Sequence, residues 1–359
     1  TEAILKNCLQ DIAACLEKSR KPTLLAGARV RRFRLEETVF NLAQHWQIPL
    51  LNSFMGKGLF AGKDWPYAGS YLGLAGRDDL RALVEESDLL IMLGVIPCDT
   101  NWGVSGKRIN EKNAVLITEN MTTVQGRIYP GVSLINLVPL LKNIAHDKEH
   151  ILRNFFVPQP LRNIEQNAAI RADDIAPLIA QALDASTDRH PLVCDIGDCL
   201  FMAMGIEGRE VLASGYYATM GFGVPAGLGL AAATGDRPVI LTGDGGFQMT
   251  GWEIINCQRY GWDPIIIVLN NASWEMLRSF GSKANYSDIA AASYAKLAEG
   301  LGGQGVTVKT PGEFATALEK ALGQRGKFQL IDVILEKGDC TTTMKKFSAT
   351  IKSKMKKAA

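Results

Sequence analysis

The chain of 359 residues lacks features that would each indicate a different class of protein. Its charges nearly balance, with 39 Lys and Arg against 37 Asp and Glu, so there is no basic excess to bind nucleic acid. Its longest apolar stretches, such as 89–96 and 264–269, are far shorter than the roughly 20 residues that span a bilayer. We therefore expect neither nucleic acid nor a membrane as a partner.

Histidine is scarce, and the cysteines are scattered. The four His show no HExxH spacing, which argues against a zinc site built on histidine. The seven Cys form no CxxC pair, and most lie in apolar runs. We expect reduced, buried thiols in a cytoplasmic protein. The sequence starts Thr1-Glu2-Ala3-Ile4, without Met or a signal-peptide pattern, and we interpret it as part of a longer chain.

What is present is the composition and patterning of a globular α/β protein, with 47% hydrophobic and 21% charged residues. In residues 1–147 short apolar strands alternate with amphipathic segments such as 33–46, whose apolar residues follow a helical period. Residues 175–340 repeat the alternation, and the helix that follows the strand 239–242 is expected at 247–260. The pattern predicts two doubly wound parallel-sheet domains with helices on both faces.

The remaining segments differ in composition. Residues 148–174 contain Pro, Arg and Asn without a sustained period, which predicts an interdomain linker. Residues 341–359 are rich in Lys, and we expect a basic, solvated and partly frayed C-terminal tail.

The most informative segment is Gly243-Asp244-Gly245-Gly246, between the predicted strand 239–242 and the predicted helix. Three glycines around one aspartate allow a tight turn and a close approach of the backbone to a ligand. Free N–H groups at the start of the helix favour a phosphate, and the adjacent carboxylate then requires a cation. Mg²⁺ held by a carboxylate and by phosphate oxygens satisfies both conditions.

A second polar segment, Asn270-Asn271-Ala272-Ser273, follows the next predicted strand, 264–269. Consecutive parallel strands joined by a right-handed crossover usually lie side by side, which would bring Asp244 and Asn271 together. A carboxylate, an amide oxygen and a backbone carbonyl form a hard oxygen site suited to Mg²⁺ or Ca²⁺. Each segment alone is a common turn. The two together, with 24 residues between Gly245 and Asn270, predict a metal and diphosphate site.

These two segments resemble the thiamine diphosphate motif of the pyruvate decarboxylase superfamily, in which Gly-Asp-Gly is followed by Asn-Asn. The stretches 195–201, 215–227, 247–253 and 270–278 are similar to those of the bacterial phenylpyruvate and indolepyruvate decarboxylases, and 54–59 resembles them more loosely. The resemblance implies thiamine diphosphate and Mg²⁺ as cofactors and a 2-oxo acid as the small-molecule substrate. It identifies the two domains as a middle domain and a diphosphate-binding domain.

The resemblance also implies roles for the matching positions. Asp244, the Asn271 side chain and the Ser273 carbonyl would hold Mg²⁺, and Gly245 and Gly246 would present N–H groups to the diphosphate. The other cofactor-binding positions that it implies are Asp198, Cys199, Ala218, Met220, Gly243, Trp274 and Glu275.

Three of these positions carry more specific expectations. Ala218 would offer its carbonyl to the amino group of the cofactor. Met220 matches the bulky apolar residue that lies between the two cofactor rings. A Met at a helix start is more often simple packing, but its place after Gly-Tyr-Tyr-Ala-Thr favours the position between the rings. Cys199 is expected either near the cofactor or as an inert buried thiol, and the sequence leaves both interpretations open.

The chain departs from the family pattern in two ways. Family members have a further N-terminal domain, which binds the pyrimidine ring and carries an activating Glu. No segment here matches it, so we assign no catalytic residue to this chain and expect that Glu from a missing domain or a separate chain. Leu277 occupies the position six residues beyond Asn271, where typical pyruvate decarboxylases have Glu. A Leu there predicts an apolar substrate pocket.

The middle domain has no GxGxxG fingerprint, so we expect a structural or regulatory role for it. Arg29 could contact an effector, but a surface charge is the simpler interpretation.

The sequence therefore predicts a decarboxylase that converts an aromatic or large 2-oxo acid to an aldehyde and CO₂. One alternative is a carboligase similar to acetohydroxyacid synthase, and another is a non-catalytic, cofactor-binding fragment. Because the cofactor of this family lies between two subunits, the resemblance implies a homodimer or tetramer.

Overall fold

The computed structural model describes residues 2–103, 108–146, 164–282 and 284–358. The chain divides into a first unit, Thr1–Gln159, and a second unit, Pro160–Ala359. Among the helices of these described residues, none is both long and apolar enough to cross a membrane.

The first unit contains a seven-stranded sheet with the order β3-β2-β1-β4-β5-β6-β7. Strands β1 to β5 pair in parallel, as predicted, whereas β6 and β7 extend the sheet antiparallel because short turns join them to their neighbours. The strands are β1 (Pro22–Ala26), β2 (Leu50–Ser53), β3 (Tyr67–Tyr71), β4 (Leu89–Leu93), β5 (Ala114–Ile117), β6 (Met121–Val124) and β7 (Arg127–Pro130).

The helices of the first unit bury one apolar face against this sheet. In the stretch predicted as one helix over 33–46, the structure has a helix that begins at Glu36 and buries Val39, Phe40 and Trp46 among other residues. The Trp46 indole donates a hydrogen bond of 3.0 Å to the Ile144 carbonyl. The helices are α1 (Glu2–Lys18), α2 (Arg29–Arg32), α3 (Glu36–Trp46), α4 (Asp78–Glu85) and α5 (Leu134–Leu141).

The second unit contains a six-stranded, fully parallel sheet with the order β12-β13-β11-β10-β8-β9. From β8 the chain crosses to β9 on one side and then to β10 on the other, so the strand order reverses between β8 and β10. Ligands of doubly wound sheets bind at the carboxyl end of such a reversal. The strands are β8 (Leu192–Cys194), β9 (Val211–Ala213), β10 (Val239–Gly243), β11 (Ile265–Asn270), β12 (Gln304–Val308) and β13 (Gln329–Ile334).

Helices flank this sheet, and they confirm the α/β class of both units. Strand β9 escaped prediction because it has three residues, of which none is buried. The helices are α6 (Ala172–Ala185), α7 (Asp198–Met204), α8 (Gly223–Thr234), α9 (Asp244–Thr250), α10 (Asn256–Tyr260), α11 (Glu275–Ser279), α12 (Tyr294–Gly300), α13 (Pro311–Gly323) and α14 (Thr342–Ala358).

The C-terminal segment differs from the expected frayed tail, because it forms the helix α14. Met344, Phe347 and Ser348 are buried, at a spacing that places them on one face of a helix. The Phe347 ring lies 5.0 Å from that of Phe201 in α7. Of the lysines that suggested a tail, Lys345, Lys346 and Lys352 are exposed.

Most of the predicted linker, 148–163, lies outside the described residues. Its last part is already structured, because α6 begins at Ala172.

His190 precedes β8 at the amino edge of the second sheet, opposite the edge at which ligands bind. The side chain is 2% exposed, and its Nδ1 donates to the Arg237 carbonyl at 3.0 Å. Burial lowers the pKa of His190 from 6.5, and the charges of Arg237 and Arg325 act in the same direction, against Asp188. We therefore expect the folded protein to keep this imidazole neutral.

Because the unfolded chain binds this proton more readily than the folded protein, the free energy of unfolding is expected to fall as the pH decreases below 6.5. Urea unfolding at pH 5 and pH 7.5 measures the change. The variant His190→Asn keeps a donor for the Arg237 carbonyl and is expected to show a weaker pH dependence. His45→Gln, at an exposed position of α3, is the matched control. An unchanged pH dependence in His190→Asn would contradict the assignment.

Candidate functional site

The two polar segments singled out in the sequence meet at the carboxyl edge of the second sheet. Strands β10 and β11 are direct parallel neighbours, with Gly243 paired to Leu269. Asp244 therefore follows one strand and Asn271 the next, as predicted. The predicted helix 247–260 was wrong in two respects: α9 begins at Asp244, and a 3-10 helix over Gly251–Ile255 separates it from α10. The Gly-Asp-Gly-Gly segment therefore forms the first helical turn itself, with N–H groups that have no partner within the helix.

Asp244 is the buried carboxylate of this site, at 3% exposure. Its Oδ1 accepts a hydrogen bond of 2.8 Å from the Gly245 N–H, whereas its Oδ2 is buried without a hydrogen-bond partner. Burial raises the pKa of Asp244 to about 6, although the N–H groups of Gly245 and of residues 271–273 oppose the shift. An unpartnered oxygen on a buried carboxylate is costly unless a cation completes it.

The turn 271–273 faces this carboxylate. The Asn271 Oδ1 accepts from the Ser273 N–H at 3.1 Å, and Ala272 has a φ of 52° in the left-handed region. The Ser273 hydroxyl accepts from Arg278 at 2.9 Å. In the described part of the chain, no group of three or more His, Cys, Asp or Glu side chains could hold a metal. The donor set is one carboxylate with amide and carbonyl oxygens, which fits Mg²⁺ when phosphate oxygens supply the remaining ligands.

The two consecutive asparagines have different environments. Asn270 is 7% exposed, and its amide donates to Asp332 Oδ1 at 2.9 Å and to the Ala292 carbonyl at 3.1 Å. Asp332, in β13, is 1% exposed and also accepts from the Tyr294 N–H at 3.1 Å. Asn270 therefore ties the end of β11 to its neighbours, and Asn271 is left to face Asp244.

This difference predicts a separation of effects between two neighbouring alanine variants. Asn270→Ala is expected to lower the free energy of unfolding by about 1–3 kcal/mol, because Asp332 loses a buried donor. Asn271→Ala is expected to change stability little and to weaken Mg²⁺-dependent cofactor binding. Urea unfolding and calorimetric titration measure the two effects. Equal stability losses in both variants would contradict the separation.

The glycines of the turn are close to neighbouring side chains. A Cβ at Gly245 would lie 2.2 Å from the Trp274 ring, and one at Gly246 would lie 2.7 Å from Asp195 Oδ2. Gly243 has nothing within 4 Å of its Cβ position, so its outer side is open space. Trp274 thus packs closely against the first turn of α9, whose residues Asp244, Gly245 and Gly246 are buried.

The predicted positions 218 and 220 lie on an exposed loop that leads into α8. Ala218 has a φ of 62°, and its N–H donates to the Ser214 carbonyl at 2.9 Å. Met220 is 42% exposed. The end of this loop reaches the site, since the Thr250 hydroxyl in α9 donates to the Gly221 carbonyl at 2.7 Å. The cofactor roles of Ala218 and Met220 remain predictions.

Asp198 and Cys199 begin α7 close to the strand reversal. Asp198 accepts hydrogen bonds from the Thr341 N–H at 2.7 Å and from its hydroxyl, so its carboxylate is engaged with the C-terminal segment. Burial raises the pKa of Asp198 to about 6. Cys199 is 2% exposed, and burial raises the pKa of its thiol well above 9.0. This environment favours the inert buried thiol of the two interpretations.

Glu275 and Leu277 lie in α11, directly after Trp274. Glu275 Oε2 accepts from the Gly338 N–H at 3.1 Å, which holds the chain after β13. Leu277 is 43% exposed. An exposed Leu beside the candidate metal ligands is compatible with an apolar wall, and its place in a substrate pocket remains a prediction.

Two residues that the sequence analysis left without a role contribute to the site. The Tyr294 hydroxyl contacts the Asp244 carbonyl at 3.4 Å and accepts from Gln248 at 3.0 Å. Asp195 accepts hydrogen bonds from both the loop before α8 and the end of β10. Tyr294 carries no local signal. Asp195 does carry a local sequence signal, because it follows a buried strand at the edge where ligands are predicted to bind.

Comparison with protein families assigns both units. Residues 195–333 match the "Thiamine pyrophosphate enzyme, C-terminal TPP binding domain", and residues 9–138 match the "Thiamine pyrophosphate enzyme, central domain". Thiamine pyrophosphate is another name for thiamine diphosphate. The first match contains Asp244 and Asn271, and therefore the candidate metal site.

Curated relatives point in the same direction. The chain is 38% identical over 347 residues to an indole-3-pyruvate decarboxylase of Azospirillum brasilense, covering 96% of this chain and 63% of the relative. It is 27% identical to a probable pyruvate decarboxylase of Schizosaccharomyces pombe, covering 92% and 60%. It is 25% identical to an acetolactate synthase large subunit of Haemophilus influenzae, covering 89% and 60%. The chain thus spans about three fifths of the length of these relatives.

The family matches and the buried Asp244 carboxylate, at the edge where β10 and β11 end, support the same assignment. The chain belongs to the thiamine pyrophosphate enzyme family, of which it carries the central domain and the C-terminal TPP-binding domain.

Proposed function

We propose that the protein takes part in the non-oxidative decarboxylation of an aromatic or large 2-oxo acid, of the phenylpyruvate or indolepyruvate type. The products would be an aldehyde and CO₂. The observation that carries the proposal is the buried Asp244 Oδ2 without a hydrogen-bond partner, at the start of α9. The similarity to an indole-3-pyruvate decarboxylase supports the substrate class.

Different residues of the site would bind the metal ion and the diphosphate of the cofactor. Asp244, the Asn271 side chain and the Ser273 carbonyl would hold Mg²⁺, and the Gly245 and Gly246 N–H groups would bind the diphosphate. The chemistry supplied by bound thiamine diphosphate is an electron sink for the loss of CO₂ from a 2-oxo acid. The protein contributes binding, orientation and the exclusion of water.

Other parts of the loaded enzyme are proposed on the same basis. Leu277 lines the substrate pocket, and a pyrimidine-binding domain or chain supplies the activating Glu. The active form is a homodimer or tetramer. The first unit serves as a structural or regulatory middle domain. The location would be the cytoplasm, which the seven scattered cysteines without a CxxC pair support.

The test has a binding step and a turnover step. Calorimetric titration of thiamine diphosphate into the chain, with and without Mg²⁺, is expected to show binding that requires the metal. Aldehyde formation from phenylpyruvate and indolepyruvate is then followed with both cofactors, with and without the corresponding N-terminal domain of a relative. Pyruvate is the control substrate, because an apolar pocket is expected to favour the larger side chains.

Each outcome separates the candidate functions. Aldehyde formation that requires both cofactors supports the decarboxylase. A coupled hydroxy ketone as the main product indicates a carboligase, and binding without turnover even with the added domain indicates a non-catalytic cofactor-binding protein. No binding of thiamine diphosphate in the presence of Mg²⁺ contradicts the proposal.

A further inference from the structure

Asp195 is the most heavily hydrogen-bonded buried carboxylate near the proposed cofactor site. It follows β8 and is 2% exposed. Its oxygens accept from the Ile196 N–H at 2.9 Å, from the Gly221 N–H at 3.0 and 3.1 Å, and from the Gly223 N–H at 3.3 Å. The Thr242 hydroxyl donates a further bond at 3.3 Å. Burial raises the pKa of Asp195, and these donors oppose that shift because they favour the ionised carboxylate.

These donors come from two separate segments. Gly221 lies near the end of residues 214–222, here named the 214–222 loop, and Gly223 is the first residue of α8. Thr242 lies in β10 just before the Gly-Asp-Gly-Gly turn. The turn itself also touches the carboxylate, because a Cβ at Gly246 would lie 2.7 Å from Asp195 Oδ2. One side chain therefore bridges the loop and the turn.

Within the loop, Ser214 accepts hydrogen bonds from the Ala218 and Thr219 N–H groups, but side-chain packing adds little. Tyr216 and Tyr217 are 72% and 84% exposed, so their side chains provide little packing. Gly221 has a φ of 77°, and its carbonyl is held by Thr250. Without the Asp195 carboxylate, the N–H groups of Gly221 and Gly223 would lose their acceptor, and the loop end would lose its main link to the turn.

We propose that Asp195 is a positioning residue for the cofactor: its carboxylate locks the 214–222 loop to the first turn of α9, so that both reach the cofactor in one relative arrangement. This inference rests on the proposed function, in which the turn binds the diphosphate and Ala218 and Met220 contact the rings. Because the loop is already ordered before the cofactor binds, binding does not lose the conformational entropy of ordering it, and the affinity is higher. Asp195 itself need not touch the cofactor.

The test compares two probes that differ in what they contact. Thiamine diphosphate reaches both the loop and the turn, whereas inorganic pyrophosphate with Mg²⁺ reaches only the turn. Asp195→Asn keeps the shape of the side chain, but an NH₂ group replaces one carboxylate oxygen. That NH₂ group then faces a backbone N–H that needs an acceptor. We expect the variant to bind thiamine diphosphate about tenfold more weakly and Mg²⁺-pyrophosphate nearly as well as the wild type. Titration calorimetry at 10 °C, with folding checked by circular dichroism, measures both affinities.

A second variant covers the case in which Asp195→Asn does not fold. Thr250→Val removes the second anchor of Gly221, the hydroxyl that donates to its carbonyl, and is expected to weaken binding selectively in the same way. Asp184→Asn, at an exposed carboxylate of α6, is the control and is expected to leave both affinities unchanged.

The outcomes are distinct. Selective weakening of thiamine diphosphate binding supports the positioning role. Equal weakening of both probes indicates general destabilisation and overturns the inference, and so does wild-type affinity in the folded variants. Failure of the wild-type protein to bind thiamine diphosphate overturns the proposed function and this inference with it, whereas wild-type binding with an unaffected Asp195→Asn overturns the inference alone.

Discussion

Replacing Asp244 by asparagine is expected to lower the affinity for thiamine diphosphate in the presence of Mg²⁺ by at least about 100-fold. Removing a residue that only hydrogen-bonds to a metal ligand already lowers metal affinity by about 10- to 100-fold, and Asp244 is proposed as a ligand itself. The variant keeps the size of the side chain and an oxygen for the Gly245 N–H. It loses the negative charge and the free Oδ2, which is the atom that lacks any partner in the protein. The other candidate ligands are neutral oxygens, so no second carboxylate of the turn compensates.

The same substitution is expected to stabilise the protein without cofactor. The pKa of Asp244 is about 6 in the folded protein, against 3.8 for an ordinary Asp. A raised pKa means that the folded protein binds this proton more tightly than the unfolded chain does. The stabilisation from protonated Asp244 is therefore present in acid and is lost as the pH rises through about 6. Asn cannot ionise, so above that pH the free energy of unfolding of the variant is expected to exceed that of the wild type by a few kcal/mol. Each unit of pKa difference corresponds to about 1.4 kcal/mol.

Two measurements check these expectations together. Calorimetry gives the cofactor affinity, and urea unfolding at pH 4 and pH 7.5 gives the stability difference. Asp184→Asn, whose side chain is 73% exposed, is the matched control for removing a carboxylate. A variant that still binds the cofactor at wild-type affinity would show that Asp244 is not the metal ligand. A variant less stable than the wild type at pH 7.5 would show that the carboxylate has a structural partner.

The second large effect is expected at Gly245. A methyl group there would lie 2.2 Å from the Trp274 ring, so either the ring or the first turn of α9 must move. Overpacking of this kind costs about 1–3 kcal/mol. Because the displaced turn carries the N–H groups proposed to bind the diphosphate, Gly245→Ala is expected to lose both stability and cofactor affinity.

Two further variants make the Gly245 prediction specific. In the Trp274→Ala background the space is free, so adding Gly245→Ala is expected to cost much less than it does in the wild type. Gly229→Ala, on the exposed side of α8 with nothing within 4 Å of its Cβ, is the control and is expected to stabilise by about 0.5–1 kcal/mol. Thermal and urea unfolding of the four variants test the coupling. Gly245→Ala with wild-type stability would contradict the close contact.

Much of the second unit followed from the sequence, because its strands are short apolar runs separated by helical periods. Strand β10 extends one residue beyond the predicted 239–242, and β11 lies one residue later than the predicted 264–269. Elements with weak local signals were missed. The exposed three-residue strand β9 and the antiparallel pair β6 and β7 depend on neighbouring strands rather than on their own pattern.

The sequence by itself determined the α/β class, the order of the elements, and the meeting of Asp244 with the turn at Asn271. These follow from local periodicity and from the side-by-side placement of consecutive parallel strands. Only the tertiary structure decided that Asn270 is a structural anchor, that Asp195 bridges a loop and a turn, and that Asp198 binds Thr341, 143 residues away. Each of these depends on the direction in which a buried side chain points and on partners distant in the chain, and no local pattern of residues encodes either.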